Sequence, residues 1–336
     1  MEINLSVIVP VYDGRATIER CLAALDVHRA PDVEIIVVDD GSTDDSGTVA
    51  ARMGAHVLTL AVNSGPAAAR NYGASHASGA VLMFVDSDVA VAVDAVARVR
   101  KVLDAHPDVS AVFGSYDMDP PYGGVVSRYK NLLHHFVHHN AETEASTFWA
   151  GCGAVRHAAF HAVGGFDHHR FRKPSIEDID FGYRLRRAGH RIILDKTIQG
   201  THLKAWTLRS LLASDVMGRA VPWSRMIAER REVPDDLNLR SDQRVSAALV
   251  GLAAVALLLA PFWPHLVIPT GIALLVVIAL NRHLYVFWMR RGGVRFAAAA
   301  VLLHWLYYLY SGLTYVTVLT GVRLMGLIPR SNDPVR

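Results

Sequence analysis

The stretch Phe84-Val85-Asp86-Ser87-Asp88 decides how this chain is interpreted. An apolar run over residues 81–85 ends at two carboxylates with one residue between them. Such a run is typical of a buried strand that delivers its acidic residues to the edge of a sheet. Neighbouring carboxylates repel each other, and a hard divalent cation such as Mg²⁺ or Mn²⁺ relieves that repulsion. A polar turn without a metal is the alternative interpretation.

Upstream of this stretch, strand-like and helix-like segments alternate. Apolar runs cover residues 5–10, 33–38 and 57–60, and the first two lead into Tyr12-Asp13 and the acidic pair Asp39-Asp40. This alternation predicts an α/β domain with a mostly parallel sheet and helices on both faces. Ligands of such sheets bind beyond the carboxyl ends of the strands. No Gly-x-Gly-x-x-Gly or Walker-type loop is present, which disfavours a standard dinucleotide or P-loop site.

The composition narrows the class of protein. The 336 residues include 34 basic and 31 acidic side chains, a balance that gives no indication of nucleic-acid binding. The two cysteines, Cys21 and Cys152, are too few for a disulfide framework and suggest a reducing compartment. Because the first residues lead directly into a strand-like run, we expect no signal peptide.

Four segments together resemble the family-2 glycosyltransferases of the GT-A fold. They are residues 6–12, 37–44, 65–71 and 86–88, and the resemblance extends over roughly residues 4–205. It implies a nucleotide-sugar domain at 1–202 that takes a UDP- or GDP-type donor and uses Mn²⁺ or Mg²⁺. The implied donor-binding residues are Pro10, Tyr12, Asp13, Asp39, Asp40, Arg70, Asp86, Ser87 and Gly151.

The resemblance also gives these residues separate roles. Asp40 would contact the base, and Arg70 would face the diphosphate. Asp88 would ligate the metal, with Asp86 beside it. His202 would be a further metal or diphosphate ligand, although an isolated histidine is as often structural.

A second acidic pair, Glu177-Asp178, opens a helix-like segment. Acidic residues are favoured at a helix N-terminus by about 0.3–1 kcal/mol, which explains the pair without catalysis. The resemblance instead implies that Asp178 is the catalytic base of an inverting enzyme, with Glu177 as its neighbour or as an acceptor contact. Residues 214–223 lack the Gln-x-x-Arg-Trp motif of processive relatives, so we expect transfer of a single sugar.

Four histidines share a helical spacing in the middle of the chain: His134, His135, His138 and His139. Side chains four residues apart face together on a helix, a spacing that could suit a metal. Only Glu142 lies near them as a further ligand. We therefore predict a solvated or interface helix rather than a metal site.

The C-terminal third predicts a membrane domain over residues 245–322. No charged residue occurs between Arg244 and Arg282, and prolines divide this run into two predicted spans, 245–263 and 265–281. A third span is predicted at 296–322, an amphipathic segment at 203–244 and a tail at 323–336. Several arginines lie before the first of these two spans and after the second. This distribution predicts that both flanking segments and the catalytic domain are cytoplasmic. A buried helical hairpin is the alternative.

Together with the apolar C-terminal third, the resemblance implies a metal-dependent, inverting glycosyltransferase in the cytoplasmic membrane. It would move one sugar to a hydroxyl acceptor, a lipid or lipid-linked glycan of the cell envelope. A polyprenyl-phosphate glycosyltransferase is the nearest alternative. A non-catalytic nucleotide-sugar-binding module of a membrane assembly is the alternative from another class.

Overall fold

The chain divides into two compact units. The structure, a computed structural model, describes residues 4–28, 30–230 and 240–324. The first unit comprises residues 1–123 and 134–205, and the second comprises 124–133 and 206–336. Parts of the segments predicted from the sequence lie outside the described residues, namely 1–3, 29, 231–239 and 325–336.

The first unit is built on one mixed sheet of eight strands in the order β3-β2-β1-β4-β7-β6-β8-β5. The strands are β1 Leu5–Val11, β2 Val33–Asp39, β3 His56–Thr59, β4 Val81–Val85, β5 Val89–Val91, β6 Val109–Tyr116, β7 Cys152–Arg156 and β8 Arg191–His202. The helices are α1 Arg15–Asp26, α2 Ser46–Arg52, α3 Pro66–His76, α4 Ala95–Ala105, α5 Val125–His139, α6 His157–Ala162 and α7 Glu177–Arg187. Helix α5 continues from the second unit into the first.

Both faces of the sheet are buried. Val7, Val9 and Val37 pack into one apolar cluster, whereas Ile8 and Ile36 pack into the other. Side chains alternate between the faces of a strand, so a strand buried on both faces is a continuous apolar run. This explains why β1 and β2 could be recognised in the sequence.

The strand register brings several chain segments to one edge of the sheet. Strands β1, β2 and β4 are parallel, so their carboxyl ends lie at the same edge. Strand β7 is antiparallel to β4, with Cys152 opposite Val85. Because of that pairing, residues 149–151 approach the edge from the other direction and lie beside Asp86, whose N–H donates to the Gly151 carbonyl at 3.3 Å.

Strand β8 is longer than the sequence predicts. The apolar pattern indicated a strand over residues 191–194, but the strand continues to His202. After a register shift along β6 it pairs antiparallel with β5, which places His202 opposite Val89. The alternation of apolar residues ends before that point, so the continuation was not visible in the sequence.

Helix α3 lies close against the sheet because it carries a small residue where it crosses the strands. A Cβ atom on Gly73 would come within 2.6 Å of Ile8 and 3.0 Å of Val38. The helix begins at Pro66, which suits a first helical position because proline has no N–H to lose. This close packing buries Arg70, which is 4% exposed.

The second unit is helical in its described part, apart from its connecting segments. Besides the start of α5 it comprises α8 Leu208–Ala213, a π-helix Ser214–Ala220, α9 Val221–Arg230, α10 Ser241–Leu259, a 3₁₀ turn Pro264–Leu266, α11 Val267–Leu280 and α12 Arg282–Leu324. The π-helix holds a buried carboxylate, Asp215. Lys130 lies 2.5 Å from that carboxylate, and the Tyr310 hydroxyl donates to it at 2.7 Å.

Two helices in the described residues are long and apolar enough to cross a membrane. They are Ser241–Leu259 and the segment Arg282–Val322 of α12. The predicted span 265–281 is instead a helix of 14 residues, Val267–Leu280, shorter than the roughly 20 residues that a bilayer requires. The residues that precede the predicted span 296–322 are also helical, because α12 starts at Arg282 and is interrupted where Gly293 has φ 76°.

Candidate functional site

The Asp86-Ser87-Asp88 segment forms a tight turn between β4 and β5. The N–H of Val89 donates to the Asp86 carbonyl at 2.9 Å, and the N–H of Leu203 donates to the Asp88 carbonyl at 2.7 Å. The backbone of this turn is therefore fixed from the end of β8. Both carboxylates are partly exposed at the edge that the sequence predicted.

Asp88 and His202 form the candidate metal pair. The Asp88 Oδ2 lies 3.4 Å from the His202 Nε2. Burial raises the pKa of the Asp88 carboxyl, but the hydrogen bond and charge of His202 outweigh burial and bring that pKa below its usual value. The Tyr116 ring stacks on the imidazole at 4.5 Å and 11°, which fixes the ring plane.

These residues fit a divalent cation that is shared with phosphates. Within the described ranges no three His, Cys, Asp or Glu side chains are grouped to hold a metal ion. Mg²⁺ and related ions bound with phosphates need only one or two protein ligands, and carboxylate oxygen is a preferred donor. Asp88 with His202 offers a pair of that kind, whereas Asp86 is engaged by an arginine.

Arg70 joins the two acidic motifs of the site. Its Nη2 donates to Asp86 Oδ1 at 2.7 Å, and its Nη1 donates to Glu177 Oε1 at 2.9 Å. The arginine and Glu177 are buried, with side chains 5% and 6% exposed. Arg70 thereby links the β4 turn to the start of α7. Its expected role toward the donor diphosphate stays a prediction.

Asp178 is half-buried and aimed at the same edge. Its Oδ2 accepts from the Ala150 N–H at 3.3 Å, and its Oδ1 accepts from the Ile179 N–H at 2.8 Å. Burial, helped by the neighbouring charge of Glu177 and opposed by Arg70, raises the pKa of the Asp178 carboxyl to about 7. A carboxyl group with this pKa can accept a proton near neutral pH, as a general base must.

The loops after β1 and β2 fasten to each other. Asp13, in a left-handed conformation with φ 48°, accepts from the Thr43 N–H at 2.7 Å. Asp40 accepts from the Ser64 and Gly65 N–H groups at 2.7 and 2.8 Å. Burial raises the pKa of Asp40 despite these two hydrogen bonds.

Of the other residues predicted for donor binding, Tyr12 is the most accessible, at 46% exposure. Asp39 is buried and accepts from the Ser42 N–H at 2.9 Å, and Pro10 is buried inside β1. Ser87 reaches toward the β1–α1 loop, where its Oγ lies 3.4 Å from the position of a Cβ on Gly14.

Gly151 lies against the indole of Trp149. A Cβ there would come within 2.5 Å of the indole ring, so no larger residue fits without moving the tryptophan. The Gly151 carbonyl also accepts from Asp86, as described above. The predicted glycine therefore lies beside the acidic turn.

An aromatic cluster beside His202 was not predicted. Tyr116 ends β6, and its ring lies 4.7 Å from Trp149 and 4.6 Å from His134 in edge contacts. One feature of the sequence could have indicated Tyr116 as a site residue: it ends a buried strand, as Asp39 does. The pairing of β6 with β8, which brings Tyr116 to His202, was not readable from the sequence.

The prediction of a solvated or interface helix for the four histidines does not describe their placement. His135 and His138 are 5% and 3% exposed, and each Nδ1 lies within hydrogen-bond distance of a β6 carbonyl, Tyr116 at 2.7 Å and Gly114 at 3.1 Å. The i,i+4 spacing correctly places them on one face, but that face packs against the sheet. No metal-binding group includes them in the described part of the chain.

Comparison with known proteins shows which family the first unit resembles. Residues 6–164 match the family "Glycosyl transferase family 2". Glycosyltransferase GlyA of Streptococcus pneumoniae is 35% identical over 118 residues, which are 34% of this chain. The chain spans only 17% of the length of that relative.

Two solved structures share the fold. A mannosyltransferase from Pyrobaculum calidifontis, in complex with GDP-Man and Mn²⁺, aligns with TM-score 0.53 at 19% identity, covering 96% of this chain and 88% of its own. Residues 1–349 of S. aureus TarS, in complex with UDP-GlcNAc, align with TM-score 0.52 at 20% identity, covering 96% and 92%. Residues 6–164 are therefore similar to glycosyl transferase family 2, and the chain shares the GT-A fold of these two structures.

Proposed function

We propose that this protein transfers one sugar from a nucleotide sugar to a hydroxyl acceptor and inverts the anomeric configuration. The observation that carries the proposal is the Arg70 bridge, which holds the Asp86 turn and the Glu177-Asp178 helix start together at one sheet edge. The neighbours in complex with GDP-Man and UDP-GlcNAc support a donor of the same class.

Asp178 would act as the general base. An alcohol is barely ionised at neutral pH and needs a group within hydrogen-bond reach to take its proton as it attacks. With a pKa of about 7, the carboxyl of Asp178 is about half deprotonated at neutral pH and can act as a base there and above. Glu177 accepts a hydrogen bond from Arg70 and would position the base rather than accept the proton.

Asp88 and His202 would hold Mn²⁺ or Mg²⁺ together with the donor diphosphate. When bound, the cation neutralises the negative charge of the nucleoside-diphosphate leaving group. Tyr12 is exposed and could stack its ring on the nucleobase of the donor. Tyr116 stacks on the His202 ring and fixes its orientation. The manganese complex of the structural neighbour supports this cofactor class.

Two other functions remain alternatives. A polyprenyl-phosphate acceptor is already an anion and would not need Asp178, so the raised pKa of Asp178 favours the hydroxyl acceptor. A binding module without activity would not need Asp178 together with Asp88 and His202 at one edge. A lipid or lipid-linked glycan acceptor is proposed because of the apolar helices.

The metal assignment is tested by Asp88→Ala. The backbone bond from Leu203 does not involve the side chain, so we expect the turn to keep its shape. In the wild type, a nucleotide sugar at 100 times its dissociation constant should stabilise the protein by about 2.7 kcal/mol when Mn²⁺ is present. In Asp88→Ala this stabilisation should disappear, as measured by thermal shift with a panel of UDP- and GDP-sugars.

Asp104→Ala is the matched control, because Asp104 is an exposed carboxylate on α4. It should respond to donor and Mn²⁺ like the wild type. Equal donor stabilisation of the wild type in excess chelator would show that the donor binds without a metal and would contradict the assignment.

We further propose that the second unit attaches the protein to the cytoplasmic membrane and that the catalytic unit is cytoplasmic. The two apolar helices support attachment, and arginines at the start of α10 and of α12 support this orientation. In this arrangement α10 and α11 would pass out and back, and the Phe262-Trp263 pair would lie at the outer interface. Helix α11 alone is too short to cross a bilayer. The 3₁₀ turn before it would lengthen the span, and the bilayer would thin locally around it.

Cysteine labelling tests this orientation. His265 and His283 are both exposed and lie at opposite ends of α11, so His265→Cys and His283→Cys form a matched pair. An impermeant thiol reagent added to intact cells should label the first and not the second. Background labelling should be low because Cys21 and Cys152 are buried. The reverse pattern would place the catalytic unit on the outer side.

A further inference from the structure

The second unit contains a long stretch without carboxylates. No Asp or Glu occurs between residues 243 and 332, whereas seven arginines do. Three of these, Arg290, Arg291 and Arg295, flank the interruption of α12 at Gly293 and are exposed. Like charges at such short separations repel each other unless an anion or a carboxylate is close.

A fourth arginine joins them from α5. The guanidinium of Arg128 lies 4.5 Å over the Phe296 ring, and its Nη2 donates to the Arg291 carbonyl at 3.1 Å. Phe296 is 5% exposed, so the ring is a fixed support. Arg128 is thus held next to the chain segment that carries the other three arginines.

No ion pair satisfies this cluster within the described ranges. Two acidic groups of the unit pair with other cations: Asp215 pairs with Lys130 and Asp242 with Arg240. Guanidinium groups match phosphate geometry with two parallel hydrogen bonds, and they desolvate more readily than lysine. The cluster therefore has the chemistry to bind phosphate groups.

The surroundings of the cluster are apolar. Val294 and Met289 are 72% and 45% exposed, directly beside the arginines. Leu302, two turns further along α12, is 64% exposed. Exposed apolar side chains next to arginines are typical of a surface that lies at the headgroup level of a membrane. A small soluble anion would have no need of these apolar neighbours.

We propose that Arg128, Arg290, Arg291 and Arg295 form a binding site for the phosphates of anionic lipid headgroups. The proposal rests on the proposed membrane attachment and adds to it a preference for one class of lipid. Phosphate groups at this site would neutralise the arginines around the break at Gly293. The occupied site would thereby fix the second unit at the cytoplasmic face of the bilayer.

The test compares binding of fluorescent phosphatidylglycerol and phosphatidylcholine to the detergent-solubilised full chain. The variant is the triple change Arg290→Gln, Arg291→Gln and Arg295→Gln. Each arginine near an anionic surface contributes about fivefold in affinity, so the triple variant should lose about a hundredfold of its preference for phosphatidylglycerol. Binding of the anionic lipid by the wild type should also weaken as salt is added.

A matched control carries three exposed arginines of the first unit changed in the same way, Arg20→Gln, Arg52→Gln and Arg187→Gln. It has the same change in net charge and should keep the lipid preference. If both triple variants lose it equally, overall charge is responsible and the site is wrong. If inorganic phosphate displaces the lipid completely at equal concentration, the cluster is a small-anion site instead.

The test separates this proposal from the membrane attachment on which it rests. The triple variant should still fractionate with cell membranes, because its apolar helices are unchanged. Loss of membrane fractionation in the wild type would refute the attachment itself. Wild-type binding of both lipids with equal affinity would refute only the anionic site.

Discussion

Asp178→Asn is expected to lower sugar transfer by at least about a hundredfold, which corresponds to about 2.7 kcal/mol of barrier. Asparagine keeps the size of the side chain but cannot accept the acceptor proton. Its single carbonyl oxygen can serve only one of the Ala150 and Ile179 N–H groups, so a small loss of stability accompanies the change. Donor affinity should stay nearly unchanged, because the metal pair of Asp88 and His202 is intact.

The pH dependence distinguishes a base from a structural carboxylate. A raised pKa means that Asp178 becomes protonated as the pH falls through about 7. Wild-type kcat should therefore decrease below pH 7 and level off above it. The residual activity of Asp178→Asn should not show this transition, whereas Asp104→Asn, an exposed control, should retain both the rate and the profile.

Two outcomes would replace the proposed function. Transfer to a polyprenyl phosphate at the wild-type rate by Asp178→Asn would show that Asp178 is only a helix-start carboxylate, and the phosphate-acceptor alternative would then hold. Donor binding by the wild type without transfer or hydrolysis would favour the non-catalytic binding module.

The sequence was sufficient for the first half of the sheet and for the edge at which the predicted site residues lie. Strands β1, β2 and β4 are continuous apolar runs that end in polar or acidic residues, and parallel strands must expose those ends at one edge. The expected α/β fold with its GT-A arrangement is confirmed. The roles of the site residues remain proposals.

The remaining features depend on contacts between distant segments. Nothing near Arg70 in the chain indicates that its partners are Asp86 and Glu177, the latter 107 positions away. The partner of His202 likewise depends on the antiparallel pairing of β5 with β8. In the helical unit, hydropathy predicts apolar segments but not the interruption at Gly293, which is a backbone conformation and not a compositional feature.

Arg70→Met is expected to destabilise the first unit strongly. Methionine has a similar length and tolerates an irregular environment, so the main loss is the positive charge. Asp86 and Glu177 would then lie next to each other without a cation, and Glu177 is almost fully buried. Removing one partner of a buried ion pair costs about 3–5 kcal/mol. For a unit of this size the unfolding temperature should fall by roughly 6–20 °C.

The matched control is Arg98→Met, which removes an arginine from an exposed i,i+4 pair with Asp94. Such pairs contribute about 0.3–0.5 kcal/mol, so this variant should unfold within a few degrees of the wild type. If Arg70→Met unfolds at the same temperature as Arg98→Met, the bridge between the two acidic motifs contributes nothing to stability.

A second change shows whether the loss comes from unpaired charge or from lost packing. Adding Glu177→Gln to Arg70→Met removes the buried carboxylate that lacks a partner, so the double variant should recover part of the stability lost by Arg70→Met alone. Acidification should have the same effect, because a protonated carboxyl carries no charge to bury. Without either recovery, the arginine acts through its packing against Phe166, whose ring centroid lies 5.5 Å from the guanidinium carbon. If both the double variant and acidification restore stability, Arg70 acts through its charge. The distance between the acidic turn and the candidate base Asp178 then depends on a buried arginine.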